Sequence, residues 1–280
     1  MHFAKKRAKA FVVAGAVALA FVVFSVLSFA HEAVAVEDLK FHDSIKEASV
    51  WAVIAASIII AIFVAASILI KEKNEALKWV LVAGIILPSL LATFYIAGST
   101  IYLNLVSQTK GPVHWHADYE IWDCGRKIDL IRPHGISNRV GSAVFHEHND
   151  NRIHVEGVVV DKAEVDLHNF FATIGGMLSK SALYLPTDNG FAEIKNGGLC
   201  SGKEAKIQVF LYKVKNPDDA KNWVYGQQKL EYFENYVLAP YSNVPPGDCI
   251  IIEFDEEKEK TEHICETYKS AMLRGELSGG

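Results

Sequence analysis

The stretches His114-Trp115-His116-Ala117-Asp118-Tyr119-Glu120 and His146-Glu147-His148-Asn149-Asp150-Asn151-Arg152-Ile153-His154-Val155-Glu156 hold five of the chain's eleven histidines, interleaved with carboxylates. On a strand, side chains two apart project to the same face. The first stretch therefore predicts a strand with His114, His116, Asp118 and Glu120 on one side and Trp115, Ala117, Tyr119 and Ile121 on the other. One face suits a hydrophobic core. The other is made only of imidazoles and carboxylates.

Strand signals continue around the histidines. Residues 112–122 alternate, Cys124-Gly125-Arg126 reads as a turn into a strand over 127–131, and 132–142 is a loop rich in Pro, Gly and Asn. Residues 144–148 and 153–160 predict two strands around the polar turn 149–152. Residues 167–174 predict a short helix stopped by Gly175-Gly176. Further strands are expected at 182–185, 205–214, 233–238 and 249–254, with a Gly-rich loop at 196–202 and a short helix over 217–221. An amphipathic, charge-rich helix is expected over 256–273, followed by a frayed Gly279-Gly280 tail. The fold class is a β-rich α+β domain over 108–280.

Residues 1–107 read differently. Three uncharged apolar runs, about 11–30, 49–70 and 79–106, each reach the roughly 20 residues needed to cross a bilayer. Pro88 and Gly98 are kink candidates, and Trp51, Trp79, Tyr95 and Tyr102 suit the membrane interface. The expectation is a three-helix transmembrane anchor. Lys5, Lys6, Arg7 and Lys9 precede the first run, and Lys71, Lys73 and Lys78 lie between the second and third. Cytoplasmic loops carry the excess of Lys and Arg. The N-terminus is thus expected in the cytoplasm and the 108–280 domain outside it. An alternative reads the first run as a signal peptide, because Ser28-Phe29-Ala30 fits a small-x-small cleavage site. Cleavage there would leave His31 as an amino-terminal copper chelator.

The net charge of −5, with no basic stripe, excludes a nucleic-acid partner. The spacing of Cys124, Cys200, Cys249 and Cys265 excludes C-x-x-C redox and zinc-ribbon motifs. An even number of cysteines in an outward-facing domain predicts two disulfides, with three pairings open.

Metal binding is the leading reading of the histidines. Imidazole ligates copper, zinc and nickel, with carboxylates as further ligands or as hydrogen-bond partners of the rings. With the cysteines bonded, the donors are nitrogen and oxygen, which favours Cu(II) or Zn(II). The expected ligands are His114, His116, His146, His148 and His154, with Asp118, Glu120, Glu147 and Glu156 as additional ligands or supporting partners. Hairpin register decides how many can meet. A five-residue loop, 149–153, pairs His148 with His154 and His146 with Glu156. A four-residue loop, 149–152, pairs His154 with Glu147 and turns it away. A set of His114, His116, His146 and His148 survives either register if the 112–122 strand lies beside 144–148. His42, His134, His168 and His263 are isolated and are assigned to surface or packing roles.

These residues resemble a group of small extracytoplasmic proteins of archaea and bacteria for which no activity is known. The shared pattern here is His114-Trp115-His116-Ala117, Gly125-Arg126, His146-Glu147-His148-Asn149-Asp150, Ile153-His154-Val155-Glu156, and Leu167-His168-Asn169-Phe170-Phe171 up to Gly175. The resemblance implies a common fold unit over 108–176. Two other functions stay open: a metal-free structural or interaction domain of the cell envelope, including a subunit of a membrane complex, and a metal-dependent enzyme with Glu147 or Glu156 as general base. Motifs for zincins, nucleotide deaminases, α/β-hydrolases and P-loop proteins are absent from the sequence.

Overall fold

The computed structural model describes residues 41–134, 138–219, 222–238 and 247–280. The chain divides into two compact units, with the boundary between Leu105 and Val106.

The first unit contains helix α1, Phe41–Leu69, and helix α2, Glu75–Val106. Both are long and apolar enough to cross a membrane. At 1.5 Å per residue, 29 residues extend about 44 Å against a hydrocarbon thickness of about 30 Å. Asn74 caps α2 by accepting the Leu77 N–H at 2.8 Å. Pro88 lies inside α2 without ending it. Phe63, Ile70, Leu77 and Leu81 bury one another where the helices meet. Ile68, Leu69, Trp79, Leu91, Phe94 and Leu105 face outward, an apolar surface that lipid solvates and water does not. Two of the three expected apolar runs are thus described, as helices that could span a membrane. The first run, 11–30, with its 28–30 cleavage motif and His31, lies outside the described residues.

The second unit is built on a nine-stranded sheet. Its strands in chain order begin with β1, Pro112–Asp123, β2, Arg126–Ile128, β3, Val140–Gly141, β4, Phe145–Glu147, and β5, Arg152–Val158. A short helix, α3, Leu167–Thr173, follows, its first turn capped by the Asp166 carboxylate accepting from Asn169 N at 2.8 Å. Strands β6, Met177–Leu178, β7, Ala182–Thr187, and β8, Gly190–Lys195, form a separate small sheet, and β9, Leu199–Cys200, pairs with β10, Lys203–Glu204. The chain then re-enters the main sheet with β11, Lys206–Val214, β12, Trp223–Leu230, and β13, Asp248–Asp255. It closes with helix α4, Glu266–Leu273, and β14, Leu277–Gly279. The main sheet runs β14-β12-β11-β13-β1-β5-β4-β3, with β2 also on β1.

Period-two alternation on β1 separates two layers. Trp115, Ala117, Tyr119 and Ile121 join Ile153, Val155, Ile250 and Ile252 in a core closed by Phe170 and Phe171 of α3. On the other face, Phe210, Tyr212, Cys249 and Ile251 pack against Cys265, Tyr268 and Ala271 of α4. Asp118 of β1 reaches that same helix by accepting from the Thr267 hydroxyl. Cys124 is bonded to Cys200 and Cys249 to Cys265.

Several expected elements differ. Helix is confined to Glu266–Leu273 within the expected 256–273. Two side chains of β11 account for this. Buried Gln208 donates to the carbonyls of Asp255 and Glu256 and accepts from Lys258 N, while the Tyr212 hydroxyl donates to the carbonyls of Thr261 and His263. Backbone groups engaged this way are drawn out of an i to i−4 ladder. The expected 233–238 strand is a single 3-10 turn, Phe233–Asn235, followed by one bridge from Val237 to Asp166. Residues 217–219 form a turn rather than a helix, and 220–221 lie outside the described residues. The tail is ordered as β14 beside β12.

Cys249–Cys265 ties β13 to the start of α4 across a sequence separation of 16. Replacing both with Ala is expected to lower unfolding stability by about 3 kcal/mol, from loop-closure entropy alone. Urea unfolding of the variant against the oxidised parent, without reductant, measures this.

Candidate metal centre

The centre lies on three adjacent strands in the order β1, β5, β4. His116 stands directly opposite His154, and His154 directly opposite His146, so three imidazoles form a row across the sheet. His114 flanks the row at one end, paired with Glu156, and His148 flanks it at the other, just past β4. Ring centroids are 4.5 Å apart for His114 and His116, 4.6 Å for His116 and His154, and 5.4 Å for the parallel rings of His154 and His146. His148 lies 4.7 Å from His146 and 4.9 Å from His154. Two sets of three have their ligand atoms within 4.8 Å of one another: His114, His116 and His154, and His146, His148 and His154. His154 belongs to both.

The observed pairing is neither of the two expected registers, since His146 rather than His148 or Glu147 faces His154. Nor does the 112–122 strand lie beside 144–148, because β5 runs between them. His114 and His116 therefore meet His146 and His148 only through His154.

The loop that sets this register is tightly held. Asn149 and Asn151 adopt left-handed backbone conformations, φ 66° and 55°, which Asn tolerates better than most residues. Oε1 of Glu147 accepts the N–H groups of Asp150 at 2.7 Å and Asn151 at 3.1 Å. Two glycines permit close approach of the backbone. At Gly141, φ 113°, a Cβ would stand 2.6 Å from the Phe145 carbonyl oxygen, and at Gly247, φ 79°, 2.8 Å from that of His116.

Three of the five rings have an outer partner. His148 Nδ1 lies 2.5 Å from the Asn138 carbonyl oxygen, His154 Nε2 3.2 Å from Asp150 Oδ2, and His114 Nε2 3.1 Å from Glu156 Oε1. Such partners hold one ring nitrogen as N–H and leave the other with a lone pair. His146 is 1% exposed and His154 9% exposed, and the Nδ1 atom of each is buried with no hydrogen-bond partner among the described residues. Buried polar atoms are nearly always paired, and leaving one unpaired costs about 1–3 kcal/mol.

Burial, reinforced by the His154 and His114 rings, lowers His116 from 6.5 to about 4. His146 is lowered too, chiefly by burial, against the pull of Glu156. For Asp150, burial acts upward, but the His154 hydrogen bond and charge, with Arg152, outweigh it and leave the carboxyl below its ordinary value. Asp118 is pushed by burial to about 6 despite its 2.7 Å pairing with Arg152 Nε.

The expected carboxylates separate by role. Glu156 sits at His114. Glu147 lies in the turn, with burial raising its pKa against its backbone hydrogen bonds. Asp118 is engaged by Arg152 and Thr267, and Glu120 by Trp122 Nε1 and Lys127. Bonding of Cys124 to Cys200 removes both thiols as ligands. His168 Nδ1 contacts the Leu178 carbonyl oxygen, His263 stacks on Trp122 at 3.7 Å, and His134 is exposed. Sequence reasoning missed Asp150 and the Asn138 carbonyl as ring partners. The Asn-Asp-Asn turn four residues before His154 was the available signal for Asp150, while a backbone carbonyl leaves none.

No family model matches the chain, and no curated protein or solved structure is detectably similar to it.

The low His116 value predicts a pH dependence. The unfolded chain takes up this proton near pH 6.5 and the native one only near pH 4, so the unfolded state binds more protons in between and stability falls as pH falls through that window. Asp118, raised from 3.8 to about 6, acts in the opposite direction over most of that window, from about pH 6 downward. Comparison with His116→Gln isolates the histidine. Urea unfolding of metal-free protein from about pH 7 to about pH 4.5 should show the parent losing more stability than the variant. Parallel declines contradict the assignment.

Proposed function

We propose that this protein is anchored in the cell membrane and binds copper or zinc outside the cytoplasm through its histidine cluster. The observation that carries this reading is the pair of orphaned ring nitrogens, on His146 and His154, buried inside a cluster of five imidazoles. Neutral imidazoles with an unused lone pair are what a divalent transition metal takes as ligands. The partners Asn138, Asp150 and Glu156 on three of the rings fit the outer hydrogen bonds that orient metal-binding histidines. Nitrogens about 2.0–2.1 Å from a tetrahedral zinc ion stand roughly 3.4 Å apart, so either set closes on an ion by modest side-chain rotation. The all-nitrogen donor set favours Cu(II) or Zn(II) over Cu(I).

Placement outside the cytoplasm rests on two independent features. The N-terminal basic cluster and the lysines at 71, 73 and 78 occupy the two segments that the positive-inside rule assigns to the cytoplasm. By that rule a domain following a third span lies on the opposite side. Two disulfides support the same side, because such bonds form and persist in oxidising compartments. A metal-free envelope scaffold, or a subunit of a membrane complex, accounts for the partnered rings but not for the orphaned nitrogens. A metal-dependent enzyme needs a base at the ion. Glu147 is held in the turn by two backbone N–H groups and Glu156 lies at His114, which weakens that reading.

Asp150→Asn should keep the fold, judged by thermal unfolding of the metal-free protein, yet weaken Zn(II) or Cu(II) affinity about 10–100-fold in a competition titration. Unchanged affinity removes Asp150 as a ring-orienting partner. Protease added to intact, wall-stripped cells should digest the 108–280 domain without detergent. Protection until the membrane is opened places the domain inside.

A further inference from the structure

This inference rests on the metal-binding reading and concerns how many ions are held and where. The two sets of histidines differ in surroundings. His114 is 61% exposed at its side chain and stands on the open end of the row. His146 is 1% exposed and sits between His148 and the parallel His154 ring. Both sets need His154 for their third nitrogen.

A neutral imidazole carries one proton and one lone pair. His154 can therefore complete one set at a time. Completing both at once requires loss of the last ring proton, and Asp150 Oδ2, 3.2 Å from Nε2, is an acceptor that retains it. Ions held by both sets would also share one ligand ring, bringing two positive charges close together.

We propose that the cluster holds one divalent cation in either of two seats that share His154, an exposed seat completed by His114 and His116 and a buried seat completed by His146 and His148. The ion moves between them by exchanging partners around His154 without leaving the protein. Such a pair of seats suits a protein that accepts an ion at its surface and retains or delivers it from a sheltered position.

The experiment uses the full chain in detergent with Zn(II) as probe, reading stoichiometry after desalting, affinity by competition, and the rate of removal by a chromophoric chelator. The parent should hold one ion. His114→Gln/His116→Gln should still hold one and release it about ten-fold or more slowly than the parent, having lost the exposed route. His146→Gln/His148→Gln should also hold one, about 10–100-fold more weakly. His154→Gln should hold none. Near-ultraviolet circular dichroism checks that each variant is folded. The single change His148→Gln, at a half-buried position, stands in if the double variant is not, with the same weakening expected. Two ions per parent chain with comparable affinity overturn the proposal, as does release from His114→Gln/His116→Gln at the parent rate. No ion on the folded parent instead overturns the metal-binding reading itself.

Discussion

The direct opposition of His116, His154 and His146 across three neighbouring strands is the constraint on which the centre depends. Because side chains alternate with period two, a slip of one residue in β5 would send His154 into the apolar layer and bring Ile153 or Val155 onto the histidine face. Both of those residues are fully buried in the core. Burial of one face therefore enforces the alignment of the other. Tyr119 N donating to the Asn151 carbonyl, the Arg152 pairing with Asp118, and Glu147 across the turn lock the same register from the loop end.

The sheet gives this row a stiff support. β1 runs at its middle, parallel to β13 on one side and antiparallel to β5 on the other. One side of it faces α3, and the histidine side meets α4 at Asp118. Four of the five rings thus project from strands whose opposite faces are packed, with His148 standing just past the end of β4, and sites built on strands hold their geometry better than sites on loops. The energetics point the same way. Two ring nitrogens buried and unpaired among the described residues cost about 1–3 kcal/mol each, a loss that a coordinated cation would reverse.

Local alternation made much of this legible. The two faces of β1 follow directly from His114 through Ile121, the cysteine number implies the two bridges, and Gly175-Gly176 stops α3. What escaped reading depends on distant partners. That β5 rather than β4 neighbours β1 is a matter of long-range pairing, and the hairpin register is set by the Asn149 and Asn151 conformations together with the Glu147 hydrogen bonds. Residues 256–265 have helical periodicity, but Gln208 and Tyr212, some fifty residues earlier, claim their backbone. The same non-local logic left β12 and β14 unforeseen and made Asp150 look like a turn residue only.

The most direct measurement is X-ray absorption at the zinc edge on the full chain loaded with Zn(II) and desalted. The account predicts a shell of nitrogen and oxygen at about 2.0–2.1 Å with the outer-ring scattering of three imidazoles and no sulfur, lost in His154→Gln. A spectrum with sulfur in the shell, or one unchanged by that substitution, would contradict it.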